Sequence, residues 1–280
     1  MSAFLEEMAA GSRERVRSAL TRRSLAGLES AARATPAPPP LRLDASGFDL
    51  IAELKLRSPA AGELKSADED VAARVAAYAR AGAAAVSVLT EPSRFDGSLA
   101  HLGAAAQVLA PLRIPAMRKD FLVDPYQVFE ARAAGAGGVL VILRLLPKGQ
   151  TRALIDCAGD LGLFVLLEAF DAADIELMHE LIGSHRGRNP LLAGVNCRDL
   201  ATLEVAPGRL LELAPLLPAS VPRVAESGVI CEADVRAVAA AGYSLALIGS
   251  ALMRGADPQT LAAALLKAGR AARAAARGAR

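Results

Sequence analysis

PAMRKDFLVDPYQVFEARAAGAGGVLVIL, residues 115–143, decides the fold. A short apolar run, Pro115-Ala116-Met117, ends in Arg118, Lys119 and Asp120. Asp124 followed by Pro125 then opens a helix. An Asp at the N-cap accepts the orphan N–H groups of the first turn, and proline fits the first helical position because its missing N–H is not needed there. Tyr126, Phe129 and Ala133 fall on one face, and Gly135 ends the helix. Gly137 and Gly138 turn the chain into the wholly apolar run 139–143. This is one βαβ unit. Its oddity is Lys119, at the very end of the first strand.

Outward from this unit the same rhythm repeats. Strands are expected at 50–55, 83–89, 115–118, 138–143, 163–168, 192–196, 222–226 and 244–248. Helices are expected at about 67–81, 99–110, 125–134, 147–161, 171–183, 206–215, 231–241 and 257–274. Near-continuous Val/Ile/Leu strands alternating with helices mean a parallel sheet covered on its outside. Eight such units suit a closed α/β barrel, the (β/α)8 TIM barrel, better than an open doubly wound sheet. An open sheet would need a Gly-rich dinucleotide turn after its first strand, and Glu53-Leu54-Lys55-Leu56-Arg57-Ser58-Pro59 is not one. Before the barrel, residues 3–32 read as an extra helical segment, and the Pro-rich stretch 34–41 as an extended linker. The expected division is therefore 1–45 for the N-terminal helical extension and linker, 46–268 for the barrel, and 269–280 for a basic tail.

Composition narrows the class. The chain has 280 residues, is 53% hydrophobic, and carries a formal net charge of +2. Near-neutrality gives no general argument for a nucleic-acid partner. The arginines of the tail lack interleaved aromatics for base stacking, so that segment reads as a solvated helix end. Cys157, Cys197 and Cys231 are far apart, as are His101, His179 and His185. Reduced thiols are expected, with neither a disulfide frame nor a metal site. Glu6 and Glu7 stand where a signal peptide needs a basic start, and no apolar run reaches the ~18 residues of a membrane span. A cytoplasmic enzyme without membrane contact, monomeric or weakly homodimeric, is expected.

Side chains alternate along a strand, so parity shows which residues share a face. Ile51, Glu53 and Lys55 share one, as do Pro115, Met117 and Lys119. Leu166 goes with Glu168, Gly194 with Asn196, Val224 with Glu226, and Leu247 with Gly249. Any single charge here could be the first residue of a loop. Glu53, Lys55, Lys119, Glu168 and Glu226, together with Asn196, form a set at the C-terminal ends of strands, where barrel active sites are built. Lysines and glutamates packed together shift one another's pKa values, which gives a site both an acid and a base near neutrality. The turns Ser227-Gly228 and Gly249-Ser250 follow the last two strands, at the positions of a backbone phosphate cradle. A small phosphorylated substrate is expected.

The motifs carrying these residues are IAELKLRSPAAG (51–62), VSVLTEPSRFDGSL (86–99), PAMRKDFLVDPYQVFEARAAGA (115–136), LLEAFD (166–171), GVNCRDLATLEV (194–205), VAESGV (224–229) and ALIGSALMRG (246–255). In this order, over nearly the whole chain, they resemble the indole-3-glycerol phosphate synthase family of tryptophan biosynthesis. The resemblance implies ring closure of 1-(2-carboxyphenylamino)-1-deoxyribulose 5-phosphate to indole-3-glycerol phosphate, with loss of carbon dioxide and water. It gives Lys119 the general-acid role. Glu168 is given the dehydration, with Lys55 close by, and the division of proton transfers between the two lysines stays open. Glu53 would orient substrate and lysine, and Asn196 and Glu226 would bind and polarise the reacting region. Ser58, Ser227, Gly228, Gly249 and Ser250 would hold substrate and phosphate. Pro59, Phe95 and Phe121 would wall the anthranilate ring. No metal or organic cofactor is implied.

The chain departs from the family pattern at Cys197, at Phe170, in the first-strand loop LKLRSP, and in the long basic loop 184–190. None of these removes a matched catalytic residue. The isomerase one step earlier in that pathway uses carboxylates at the corresponding strand ends, so Lys55 and Lys119 argue against it. A barrel that has lost catalysis and serves as a scaffold would not be expected to keep the whole ionisable set.

Overall fold

The computed structural model describes residues 2–59, 62–65, 69–185, 187 and 189–278. Residues 60–61 of the first-strand motif, 67–68 of the first expected barrel helix, Arg186 and Arg188 of the basic loop, and 279–280 of the tail lie outside them.

Eight parallel strands close into a barrel: β1 (Asp49–Leu54), β2 (Ala85–Leu89), β3 (Ala116–Lys119), β4 (Gly138–Ile142), β5 (Phe164–Ala169), β6 (Leu191–Asn196), β7 (Arg223–Glu226) and β8 (Leu245–Ile248). Each lies beside its sequence neighbours, and β1 pairs with both β2 and β8. The expected TIM barrel is present, with strand ends within two residues of the sequence reading. Its strands are buried on both faces, as their Val/Ile/Leu runs require. The helix after β3, Pro125–Ala133, starts as its sequence predicts. The Asp124 side chain accepts from the Tyr126 N–H at 2.8 Å, and the Gln127 side chain caps back onto the Val123 N–H at 2.8 Å.

The register lines up the strand ends that carry the candidate residues. Glu53 pairs with Ser87, Lys119 with Leu89, and Glu168 with Ile142 and Gly194. Asn196 pairs with Glu226, and Glu226 with Leu247. Because the strands are parallel, all these ends open on one mouth.

The N-terminal segment is not one helix but two: α1 (Ala3–Arg22) and α2 (Leu25–Ala34). Extended Arg23 ends the first, and the Ser24 side chain, accepting from the Gly27 N–H at 3.2 Å, starts the second. The break lets both helices fold onto the face predicted from Tyr126, Phe129 and Ala133. There Val16, Ala19 and Leu28 pack against that face, and the Tyr126 hydroxyl donates to the Arg23 carbonyl at 3.0 Å. The Pro-rich linker is extended and passes beside Gly137, where Pro39 O and Pro115 leave no room for a Cβ. The last helix, Pro258–Gly278, runs on into the basic tail. It packs Gly269 against Phe48, and Arg270 pairs with Asp49 at 3.0 Å. Among the described residues no helix is long and apolar enough to cross a membrane.

Candidate active site

A cavity of about 380 Å³ opens at the C-terminal mouth of the barrel. Its lining includes all the residues singled out from the sequence: Glu53, Lys55, Lys119, Glu168, Asn196 and Glu226 at the strand ends, and Ser58, Pro59, Phe95, Phe121, Ser227, Gly228, Gly249 and Ser250 around them.

The floor is an ionic cluster built by parity. Lys119 Nζ lies 3.0 Å from Glu168 Oε2 and 3.7 Å from Glu226 Oε2. Asn196 Nδ2 donates to the same Glu168 oxygen at 3.2 Å, and Asn196 Oδ1 accepts from the Arg198 N–H at 3.0 Å. That second bond fixes which end of the amide faces the glutamate. Lys55 Nζ pairs separately with Glu53 Oε1 at 2.6 Å. The three carboxylates are almost completely buried, whereas the lysine side chains keep 13% and 16% of their surface open to the cavity. Within this cluster the ammonium groups are therefore easier for a ligand to reach than the carboxylates.

Burial opposes the charge on Lys119, but the carboxylates of Glu168, Glu226 and Glu53 outweigh it and hold the ammonium above the usual lysine range. The lysine therefore stays protonated at neutral pH. Glu226 moves the other way. Burial, and then the charge of Glu168, push its carboxyl well above the ordinary glutamate range, against the pull of Lys119. Both Glu226 oxygens and Glu53 Oε2 are buried with no hydrogen-bond partner among the described residues. Polar atoms so placed are ready to meet a ligand or an ordered water.

Two glycines make room for this cluster. A Cβ at Gly194 would overlap Glu226 Oε1, and one at Gly249 would overlap Glu53 Oε1 and come within 3.0 Å of Lys55 Nζ. The first-strand loop LKLRSP buries Leu56 and forms a small antiparallel hairpin, Arg57–Ser58 with Gly62–Glu63, which carries Ser58 to the rim. In the turn after β7, Ser227 and Gly228 both take positive φ, 64° and 68°. Left-handed backbone is unusual for serine and marks a specially held turn. Cys197 lies under it: a Cβ at Gly228 would come within 2.9 Å of the Cys197 sulfur. Burial pushes that thiol up to about 11, so this departure from the family pattern acts as packing, not as a nucleophile. Phe170 is buried beneath the Arg144 guanidinium, 4.9 Å from its ring centre, and is not part of the cavity wall.

The aromatic wall is larger than expected. Phe121 packs edge-on against Phe4 with ring centres 5.9 Å apart, and lies tilted against Phe95 with centres 6.2 Å apart. Phe4 belongs to α1, so the extension supplies part of the mouth. Ser2 continues this reach, its hydroxyl donating to the Leu200 carbonyl at 3.1 Å on the far rim. Arg198 also lines the cavity. Its position two residues beyond Asn196 continues the strand's parity, a signal the sequence reading left unused. Asp120, beside Lys119 in sequence, is fully engaged away from the floor: it accepts from Thr90 Oγ1 at 2.7 Å, Arg15 at 2.7 Å, Arg118 at 3.0 Å and the Phe121 N–H at 2.8 Å. It anchors the turn.

The indole-3-glycerol phosphate synthase family model matches residues 5–265. Indole-3-glycerol phosphate synthase of Parafrankia sp. (strain EAN1pec) is 44% identical over 227 residues, covering 81% of each protein. That of Mycobacterium avium (strain 104) is 41% identical over 252 residues, covering 88% of this chain and 87% of the relative. Among solved structures, 3-hexulose-6-phosphate synthase from Salmonella typhimurium superposes with a TM-score of 0.59 at 16% identity, over 79% of this chain and 98% of that one. Thiamine phosphate pyrophosphorylase from Pyrococcus furiosus gives 0.57 at 16% identity, over 81% and 98%. These two likenesses concern the fold alone.

Proposed function

The chain belongs to the indole-3-glycerol phosphate synthase family, and from that premise we propose how its mouth carries out the reaction. The activity is a carboxy-lyase step of tryptophan biosynthesis. 1-(2-Carboxyphenylamino)-1-deoxyribulose 5-phosphate becomes indole-3-glycerol phosphate, carbon dioxide and water.

The observation that carries the mechanism is the Lys119 ammonium, held 3.0 Å from Glu168 at the floor of an aromatic-walled cavity and still open to it. The ring carbon bearing the carboxylate attacks the ketone carbon. As that bond forms, the ketone oxygen takes a proton from Lys119 and becomes a hydroxyl. Carbon dioxide leaves, returning its bonding pair to the ring. Dehydration then needs one proton delivered to the hydroxyl and one removed from the ring system. Glu168 serves this step, and Asn196 fixes its orientation through the 3.2 Å bond. A positioned acid or base of this kind contributes on the order of 10²–10⁴-fold.

The separate pairing of Lys55 with Glu53 supports a division of labour. Lys119 donates in ring closure, and Lys55, oriented by Glu53, lies ready for the hydroxyl that leaves. Glu226, favoured in its neutral form by burial and by Glu168, polarises the reacting region as a hydrogen-bond donor. Pro59, Phe95 and Phe121 confine the anthranilate ring. Arg198 faces its carboxylate, and Ser58, Ser227, Gly228, Gly249 and Ser250 hold the substrate and its phosphate. Lysines and carboxylates supply every proton transfer in this scheme, so it calls for no metal or organic cofactor. We assign the enzyme to the cytoplasm as a monomer or weak homodimer, in keeping with its scattered free cysteines.

The test is direct. Addition of the anthranilate-linked ribulose phosphate to the folded protein should give the fluorescence of the indole product. Absence of product would overturn the reading.

A further inference from the structure

We propose that Arg15, on α1, is a positioning residue that sets the aromatic wall of the substrate cavity. The inference rests on the reading of that cavity given above. Arg15 reaches two buried carboxylates on two different loops. One guanidinium nitrogen lies 2.7 Å from Asp120 Oδ1, and the other 3.4 Å from Glu91 Oε1. Asp120 and Glu91 have side chains 0% and 1% exposed, whereas Arg15 keeps 29%.

Neither carboxylate depends on Arg15 for a partner. Asp120 already pairs with Arg118 and accepts from Thr90 and from the Phe121 N–H. Glu91 already caps the short turn Pro92–Phe95, accepting from the Ser93 N–H at 2.9 Å and the Arg94 N–H at 2.7 Å. What Arg15 adds is a connection. Asp120 directly precedes Phe121, and the turn capped by Glu91 ends at Phe95. Both are rings of the cavity wall.

The third ring, Phe4, stands on the same helix as Arg15, about three turns away. Ser12, one turn from Arg15, donates to the Phe121 carbonyl at 2.5 Å and accepts from the buried Gln127 side chain at 2.8 Å. Glu7 pairs with Arg94 at 2.7 Å in the same short turn as Phe95. Thus α1 holds the backbone on either side of the wall and inserts a ring of its own. Among the described residues, Arg15 is the one side chain that joins α1 to both loops at buried partners. Its replacement frees α1 and the two loops to shift against one another, while Lys119 and Glu168 stay fixed on their strands.

The predicted signature is therefore weaker substrate binding with the chemistry preserved. In steady-state turnover of the anthranilate-linked ribulose phosphate, Arg15→Met should raise KM by about ten-fold, with kcat within about two-fold, the pattern of lost uniform binding at an apolar wall. Arg15→Lys, with a shorter point charge, should fall between wild type and Arg15→Met. Phe4→Ala should raise KM as well. The double variant should raise it by less than the product of the two single effects, because both act on one wall. Thermal melting establishes that each variant is folded, and Arg15→Lys carries the test if Arg15→Met is not. An unchanged KM, or a kcat falling in step with kcat/KM, would overturn the proposal. Wild-type protein that turns over no substrate would instead overturn the reaction assigned above.

Discussion

Gly194→Ala probes the floor of the site through one added methyl group. Gly194 sits in β6, its backbone paired on both sides, so the new Cβ has no freedom to move. It would overlap Glu226 Oε1, come within 2.9 Å of Leu166 Cδ1, and lie 3.2 Å from the Leu167 carbonyl oxygen. Carbon contacts are comfortable at about 3.5 Å, so the Glu226 carboxyl must retreat by about 1 Å or more. It has little space to do so, being 1% exposed and 3.7 Å from Lys119. Overpacking of this kind costs about 1–3 kcal/mol, which in a domain of this size lowers the melting temperature by roughly 2–10 °C. A displacement of about 1 Å at a reacting group costs on the order of 10²-fold in rate. The assay is product fluorescence under saturating substrate, paired with a thermal melt. A variant with wild-type kcat would refute the assignment of Glu226 to the reacting region. Wild-type stability as well would refute the packing described for the floor.

Two buried carboxyls titrate with opposite sign. Burial raises the Asp120 value, but Arg118, Arg15 and the hydrogen bond from Thr90 win and hold it below the usual aspartate range. Its contribution to stability is complete above the unfolded value of about 3.9 and is lost as pH falls through the lower folded one. Melting curves between pH 6 and pH 2 should therefore fall more steeply for wild type than for Asp120→Asn, and parallel curves would contradict this. Glu226 is raised, so its contribution is present below the unfolded value of about 4.3 and is lost as pH rises through the folded one. Glu226→Gln should gain in melting temperature relative to wild type as pH is raised, and a constant difference would count against the neutral form. Prolonged chelation should leave turnover unchanged. Loss of activity that added metal restores would contradict a mechanism built on lysines and carboxylates.

The barrel was legible because its strands are buried on both faces and its helices carry local stop and start signals. Asp124-Pro125 is such a signal, and the structure forms the cap it predicts. Parity was equally informative: a period of two sends Glu53 with Lys55, and Lys119 with Met117, to one face wherever the strand ends. The N-terminal extension was less legible. Its break at Arg23 and Ser24 serves the docking face of Tyr126 and Phe129, a requirement that lies a hundred residues away in sequence. Phe4 and Ser2 reach the mouth for the same kind of reason, since Ser2 meets Leu200 across a separation of 198 positions. The helical period of α1 predicts an apolar face but not what that face covers. Arg198 could have been found by extending the parity of β6 by two residues.

The central claim is that Lys119 donates the proton in ring closure. Its most direct test is Lys119→Met, assayed for turnover and titrated with the indole product. The variant should lose on the order of 10²–10⁴-fold in kcat while remaining folded and still binding product. Turnover near that of wild type would contradict it and move the donor's role to another group.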